Sequence, residues 1–147
     1  MTPITLTTAL VRIAVSFVLG AAIGIERQVH KHPAGFRTFT LICLGSTLAM
    51  LLSIYVCQTN TDLLNGDPGR IAAQVLTGIG FIGAGLIIKG HDGVSGLTTA
   101  ACIFVCAVIG LAAGAGMLLL AAIVTTVVVI VLISSTLIKR SEGEPQQ

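Results

Sequence analysis

Arg12 is the most unusual residue of the 147-residue sequence, because it interrupts an apolar run from Ile4 to Ile25. A guanidinium near the centre of a membrane-spanning helix costs about 2.5–3.5 kcal/mol on insertion scales, so such a residue faces a bundle interior or a wet cavity by default. The other interpretation is structural: Arg12 snorkels to an interface or donates to carbonyl groups of a neighbouring helix. The sequence leaves both open.

Acidic residues and histidines are too scattered to predict a metal site. Mg²⁺ prefers carboxylate oxygens, and no Asp or Glu lies deep in an apolar run. His30 and His32 lie near Glu26, but the neighbouring cations Arg27 and Lys31 disfavour a metal there. No nucleophile–base set is present in the sequence either, so we expect no metal, no cofactor and no enzymatic activity.

Two threonines begin the fourth apolar run, where Thr98 and Thr99 follow Gly96 and Leu97. Their hydroxyls are predicted to cap the first amide groups of a helix. A helix N-terminus is also a position that favours anions, which is the functional alternative.

Glycines recur at spacings that let helices approach closely. Residues 78–83 match the dinucleotide pattern G-x-G-x-x-G, but they lie inside an apolar run without the strand and the acidic residue that the pattern needs. Helix packing is the favoured interpretation, and a broken helix that lines a transport site is the alternative. The predicted packing glycines are Gly20, Gly24, Gly78, Gly80, Gly83, Gly85, Gly110 and Gly114.

The composition predicts an integral membrane protein. Hydrophobic residues make up 54% of the chain and charged residues 10%, with a mean hydropathy of +1.01. A soluble domain carries about 25% charged residues, which this chain lacks. The net charge of +2, without a dense basic patch, argues against nucleic-acid binding.

Five apolar runs have the length of a membrane span, about 20 residues each. Residues 93–138 contain no charge, and we expect them to fold back at the 110–116 segment, GLAAGAG. The predicted fold is therefore an all-α bundle of five transmembrane helices within residues 1–140, followed by a polar tail at 141–147. The predicted spans are 4–25, 38–57, 71–88, 97–113 and 117–138.

Basic residues lie mostly in the loops on one side of this arrangement, and Arg70 alone lies on the other side. The positive-inside rule then places the N-terminus outside and the C-terminus in the cytoplasm. The residues on the cytoplasmic side would be Arg27, Lys31, Arg37, Lys89, Lys139 and Arg140.

Several motifs in a fixed order resemble the MgtC/SapB family of bacterial inner-membrane proteins. They are GAAIGIER at 20–27, AGFRT at 34–38, DPGRIAAQ at 67–74, GIGFIGAG at 78–85, GLTTAA at 96–101 and AVIGL at 107–111. The resemblance covers about residues 8–138 and implies five spans. The chain resembles a short form that lacks the soluble C-terminal domain.

The resemblance implies a regulatory role, as for the name-giving member, rather than that of a magnesium pump. Members are linked to growth in low magnesium and, in pathogens, to survival in macrophages, and they act through other membrane proteins that include the proton-driven ATP synthase. Magnesium or other small-ion transport is the alternative. The polar residues to which the resemblance points are Arg12, Glu26, Arg27, Arg37, Asp67 and Arg70.

The G-x-x-x-G pairs also bear on partners. Gly20 with Gly24, and Gly110 with Gly114, are spaced to join helices in a homodimer or within one chain. Membrane lipids and other inner-membrane proteins are the remaining expected partners.

Overall fold

The computed structural model describes residues 4–59, 67–91 and 93–141, with side chains up to residue 134. The predicted tail therefore lies outside the described residues from position 142 onward. The described chain contains five helices and one hairpin. In order, they are α1 Leu6–Val29, α2 Phe36–Thr59, α3 Gly69–Ala84, β1 Ile88–Gly90, β2 Gly93–Ser95, α4 Leu97–Ala115 and α5 Leu118–Ser141.

Three helices are long and apolar enough to cross a bilayer, namely α1, α2 and α4. The 24 residues of α1 or α2 rise about 36 Å, against a hydrocarbon core of about 30 Å. Two shorter apolar helices accompany them, Gly69–Ala84 and the Leu118–Ser134 part of α5. The protein is thus a helical membrane protein.

The third predicted span is wrong at its C-terminal end, because α3 stops at Ala84 rather than near residue 88. Gly85 caps the helix, and its N–H donates to the Phe81 carbonyl over 3.1 Å. The chain then forms a short antiparallel hairpin in which Ile88 pairs with Ser95. The sequence stays apolar after Ala84, which is why it predicts a longer helix. The backbone there forms part of its hydrogen bonds between the two strands of the hairpin and not within a helix. The fold is therefore helical with one small β element.

The fold-back between the fourth and fifth spans occurs at Gly116, the last glycine of the predicted segment. Gly116 has φ +93°, in the left-handed region that favours glycine. The Gly116 N–H donates to the Ala113 carbonyl over 3.0 Å, and the Met117 N–H donates to the Ala112 carbonyl over 2.9 Å. The earlier glycines of the segment, Gly110 and Gly114, stay inside α4.

The helices α1, α2 and α4 form the centre of the bundle, with α3 against α2 and α4, and α5 against α1 and α4. Successive helices run in opposite directions. The hydroxyl of Ser53, near the end of α2, donates to the Pro68 carbonyl at the start of α3 over 2.8 Å. At the other end of α3, Gly83 lies against Ala100 of α4.

We call the end formed by the α1–α2 turn, the hairpin and the start of α4 the basic end, and the opposite one the Arg12 end. Four basic residues belong to the basic end: Arg27, Lys31, Arg37 and Lys89. The basic loops that the sequence predicts on one side of the membrane therefore lie together at one end of the bundle, and Arg70 lies at the other end. Which end faces the cytoplasm stays a prediction.

Four glycines lie where helix backbones meet. A Cβ added to Gly20 would lie 2.7 Å from Cys43 Cβ, and one added to Gly24 would lie 2.7 Å from Phe36 Cα. A Cβ on Gly110 would overlap the Cys43 carbonyl oxygen, and one on Gly114 would lie 2.7 Å from the Thr47 carbonyl oxygen. Both G-x-x-x-G pairs are thus used between helices of the same chain.

The glycines of α3 differ from this pattern. A Cβ on Gly78 or Gly80 would meet no described atom within 4 Å, so the packing predicted there is absent from the single chain. Gly83 makes an ordinary contact with Ala100 at 3.7 Å. Gly85 meets the carbonyl oxygens of its own helix end, at 3.4 Å or more.

Candidate functional site

Arg12 connects the start of α1 to the end of α4. It is the seventh residue of α1, about 9 Å from the helix start and not near the middle of the helix. Its Nη1 donates to the Gly114 carbonyl over 2.6 Å. This carbonyl belongs to the last turn of α4, where oxygens lack partners within the helix and carry partial negative charge. Arg12 therefore caps another helix, as its structural interpretation predicted.

Glu26 and Arg27 form a buried charged cluster with His30 at the basic end. The exposed fractions of Glu26 and Arg27 are 8% and 3%. Arg27 Nη1 lies 3.9 Å from Glu26 Oε2, and His30 Nδ1 lies 3.0 Å from Glu26 Oε1. The last turn of α1 is buried there because Gly24 lets the backbone of Phe36 approach closely.

The cluster keeps unused hydrogen-bonding capacity. Glu26 Oε2 and Arg27 Nε are buried without a hydrogen-bond partner in the described part of the chain, and Glu26 Oε1 has only the contact with His30 Nδ1. His30 Nδ1 also lies 2.9 Å from the Glu26 carbonyl oxygen, which competes with the carboxylate for that nitrogen. A buried ion pair is weak support for stability, and the unpaired carboxylate oxygen leaves this cluster able to accept a further hydrogen bond.

The remaining charged candidates do not join this cluster. Arg37, Asp67 and Arg70 are exposed. Asp67 begins α3 at the Arg12 end, where its Oδ1 accepts a hydrogen bond from the Gly69 N–H over 2.7 Å. Its backbone oxygen accepts from the Arg70 N–H over 3.2 Å. These two residues start a helix at the end of the bundle opposite Glu26.

The capping role predicted for Thr98 and Thr99 is wrong. The N-cap of α4 is Gly96, with φ +86° and no side-chain hydrogen bond to the helix start. Both threonines lie inside the first turn, Thr98 exposed and Thr99 buried. Gly96 is required there, because an added Cβ would overlap the Leu86 carbonyl oxygen where the hairpin closes.

A buried polar layer at mid-bundle was missed by the sequence analysis. Thr47 Oγ1 of α2 lies 2.7 Å from Ser16 Oγ of α1 and 2.8 Å from the Gly110 carbonyl oxygen of α4. Ser16 Oγ donates in turn to Cys43 Sγ over 3.3 Å. Small hydroxyl residues inside apolar runs were the available signal, since such side chains hydrogen-bond between membrane helices.

Cysteines and acidic residues do not assemble a metal site in the described residues. No group of three or more His, Cys, Asp or Glu side chains lies together there. Cys106 instead donates from Sγ to the Phe39 carbonyl over 3.3 Å, so it joins α4 to α2.

Comparison with known proteins identifies relatives across most of the chain. The MgtC family model matches residues 13–141. The chain is 46% identical over 110 residues to the protein named "Putative magnesium transporter YhiD" from Escherichia coli (strain K12), covering 74% of this chain and 51% of that protein. It is 42% identical over 108 residues to Protein MgtC of Brucella abortus (strain 2308), covering 72% and 42%.

A third relative, an uncharacterized protein of Haemophilus influenzae, is 41% identical over 111 residues, covering 73% of this chain and 47% of that protein. The chain thus spans about half the length of the curated relatives that it matches. No solved structure matches it. Because the family model covers nearly all of the helical bundle, the chain belongs to the MgtC family.

Proposed function

We propose that this protein is a non-enzymatic regulator in the bacterial inner membrane that binds transmembrane helices of other membrane proteins. Its physiological role would be adaptation to low magnesium, with survival in macrophages where the host is a pathogen. Membership of the MgtC family and the printed name of the YhiD relative, a putative magnesium transporter, support the magnesium context. The observation that carries the proposal is the outward face of α3.

The outward face of α3 is free to receive another helix. Of the 16 residues of α3, Ile79 and Gly83 are buried, and Val75 and Leu76 are half-buried against the core. Small exposed residues follow one side at spacings of three and four, which places them on one helix face. This face, which we call the α3 small-residue face, consists of Ala73, Thr77, Gly80 and Ala84.

Two features make this face suitable for a protein helix. Small residues let helix backbones approach closely in lipid, where packing and interhelical hydrogen bonds drive association. The adjacent Phe81 is 83% exposed and offers a large contact surface beside Gly80. The glycine pairs of α1 and α4 cannot serve in this way, since helices of the same chain already occupy them.

Replacement of Gly80 by leucine tests the proposal. The side chain would hold a partner helix away from α3, whereas the fold has room for it because no described atom lies within 4 Å of an added Cβ. The matched control is Gly45→Leu in α2, where the added Cβ also meets open space. We expect Gly80→Leu to abolish complementation of growth in low magnesium by a deletion strain, and Gly45→Leu to complement fully.

Cross-linking identifies the partner. A photo-reactive residue at Phe81 should capture another membrane protein in native membranes, with the proton-driven ATP synthase as the first candidate and a second copy of this chain as another outcome. The same residue at Leu119 of α5, which is 76% exposed, is the control. Equal capture from both positions, or none from Phe81, would contradict the proposal.

Magnesium or other small-ion transport is the second candidate, and the printed name of the YhiD relative favours it. Uptake by sealed liposomes that contain the purified protein separates the two functions. Saturable magnesium flux would replace the regulatory proposal. We expect no flux above that of protein-free liposomes.

A further inference from the structure

A pocket of about 300 Å³ opens beside Arg12, between the start of α1 and the α4–α5 turn. Its lining combines one cation, two hydroxyl residues and an apolar wall. The lining residues are Thr7, Thr8, Val11, Arg12, Gly116 and Leu118. The regulatory and transport functions considered above assign this pocket no role.

The pocket carries the positive charge of Arg12, which forms no ion pair with an acidic side chain among the described residues. The described ion pairs of the chain both involve Glu26 at the basic end, and none reaches Arg12. The hydrogen bond to the Gly114 carbonyl uses one of the five N–H donors of the guanidinium. The guanidinium lies against Gly116, where an added Cβ would be 2.8 Å from Nη2. Arg12 is thus held in position and still has donors to offer.

The first turn of α1 adds to the attraction for an anion. Thr7 and Thr8 lie in this turn, where the first N–H groups have no acceptor within the helix and carry partial positive charge. Thr5 accepts a hydrogen bond from the Thr8 N–H over 3.3 Å. Both Thr7 and Thr8 are exposed; the Thr8 hydroxyl already lies 2.8 Å from the Thr5 hydroxyl, so Thr7 offers the more accessible hydroxyl to a bound group. Phosphate groups bind well at such helix starts, and arginine donates to them in a bidentate manner.

The depth and the apolar wall match the position of a phospholipid headgroup. Arg12 lies about 9 Å from the N-terminal end of α1. The whole helix is about 6 Å longer than the hydrocarbon core of a bilayer is thick. With α1 centred in the bilayer, Thr7 and Thr8 lie close to the boundary between headgroups and acyl chains, and Arg12 lies about 6 Å inside it. Val11, with 50% exposure, and the half-buried Leu118 supply apolar surface next to the cation.

We propose that this pocket binds a phosphate group through Arg12, Thr7 and Thr8. The phosphate is that of a phospholipid headgroup in the leaflet at the Arg12 end, or free phosphate that enters from the same side. Arg12 then has two roles: Nη1 caps α4 by donating to the Gly114 carbonyl, and its other N–H groups donate to the anion.

Binding to the full chain in dodecyl maltoside micelles tests the proposal, with native mass spectrometry as the measurement. The two probes are dioleoyl phosphatidylglycerol and inorganic phosphate. We expect Arg12→Gln to weaken phosphatidylglycerol binding at least tenfold. The matched control is Arg37→Gln, which removes an exposed arginine from the basic end and should leave binding unchanged.

A second variant separates binding from folding. Leu118→Trp fills the pocket and keeps the bond between Arg12 and the Gly114 carbonyl. Its binding should also fall at least tenfold, while the thermal unfolding followed by circular dichroism stays near that of the wild type. This variant decides the question if Arg12→Gln does not fold.

The two probes distinguish the sources of the phosphate. Binding of the lipid alone supports a headgroup site, and binding of inorganic phosphate with the same dependence on Arg12 supports a free-phosphate site. Equal binding of phosphatidylglycerol by the wild type and by folded pocket variants would overturn the proposal, as would the absence of binding by either probe.

Discussion

Replacement of Gly110 by alanine tests whether close backbone contact holds the central helices together. The added Cβ would overlap the Cys43 carbonyl oxygen of α2, which is backbone and cannot rotate away. A normal carbon–oxygen contact is about 3.3–3.6 Å, so α2 and α4 must separate locally by roughly 1 Å. That movement would also stretch the 2.8 Å hydrogen bond between Thr47 Oγ1 and the Gly110 carbonyl.

The expected magnitude combines three effects. Overpacking a close contact costs about 1–3 kcal/mol, and weakening one hydrogen bond costs about 0.5–1.5 kcal/mol. Alanine is the better helix former by about 1 kcal/mol, which offsets part of this loss. We therefore expect Gly110→Ala to lower the free energy of unfolding by about 1–3 kcal/mol.

Unfolding of the purified protein in mixed micelles, followed by the helical circular-dichroism signal, measures this difference. The control is Gly45→Ala in the middle of α2, where the added Cβ meets no atom of the described residues within 4 Å. This variant gains helix propensity without a clash, so it should be as stable as the wild type or more stable by up to about 1 kcal/mol. If both variants had the same stability, close packing at Gly110 would not hold the bundle together.

Three other predictions test the polar layer, the orientation and the basic-end cluster. Thr47→Val should lower the free energy of unfolding by about 1–3 kcal/mol because it removes the hydrogen bonds of Thr47 Oγ1 with the Gly110 carbonyl oxygen and with the buried Ser16 hydroxyl, whereas Thr126→Val on the exposed side of α5 should change it by less than about 0.5 kcal/mol; similar losses would refute a role for the layer. Cys57 at the Arg12 end should react with a membrane-impermeant maleimide in intact spheroplasts, and labelling only after permeabilisation would invert the predicted orientation. Glu26→Gln and Arg27→Gln should each destabilise the fold, by up to about 3–5 kcal/mol, and the double variant should cost less than their sum in a double-mutant cycle; additive effects would show that the two charges do not interact.

The membrane setting made much of the helical fold predictable. A backbone in lipid must satisfy its hydrogen bonds internally, so long uncharged runs predict helices without knowledge of their neighbours. The 46 uncharged residues from Gly93 to Ile138 are too long for one span, which required the fold-back that the structure has at Gly116. The same argument failed after Ala84, because it does not anticipate a hairpin whose two strands satisfy part of their backbone hydrogen bonding with each other.

The sites were less predictable, because their residues are distant in sequence. Arg12 and the Gly114 carbonyl are 102 positions apart, and Ser16 and Thr47 are 31 apart. Spacing along one helix says which residues share a face, but it does not say which helix covers that face. The burial of Glu26 and Arg27 likewise depends on how closely α2 approaches Gly24.

The sequence by itself determined that this is a helical membrane protein of the MgtC family with most of its positive charge at one end, because composition, charge and motif order need no knowledge of contacts. Tertiary structure decided which glycines hold the bundle together and which ones stay open on α3. It also decided that Arg12 caps α4 beside a pocket. The physical reason is that a glycine or an arginine acquires its role from the backbone that approaches it, and that approach is set by packing all the helices together.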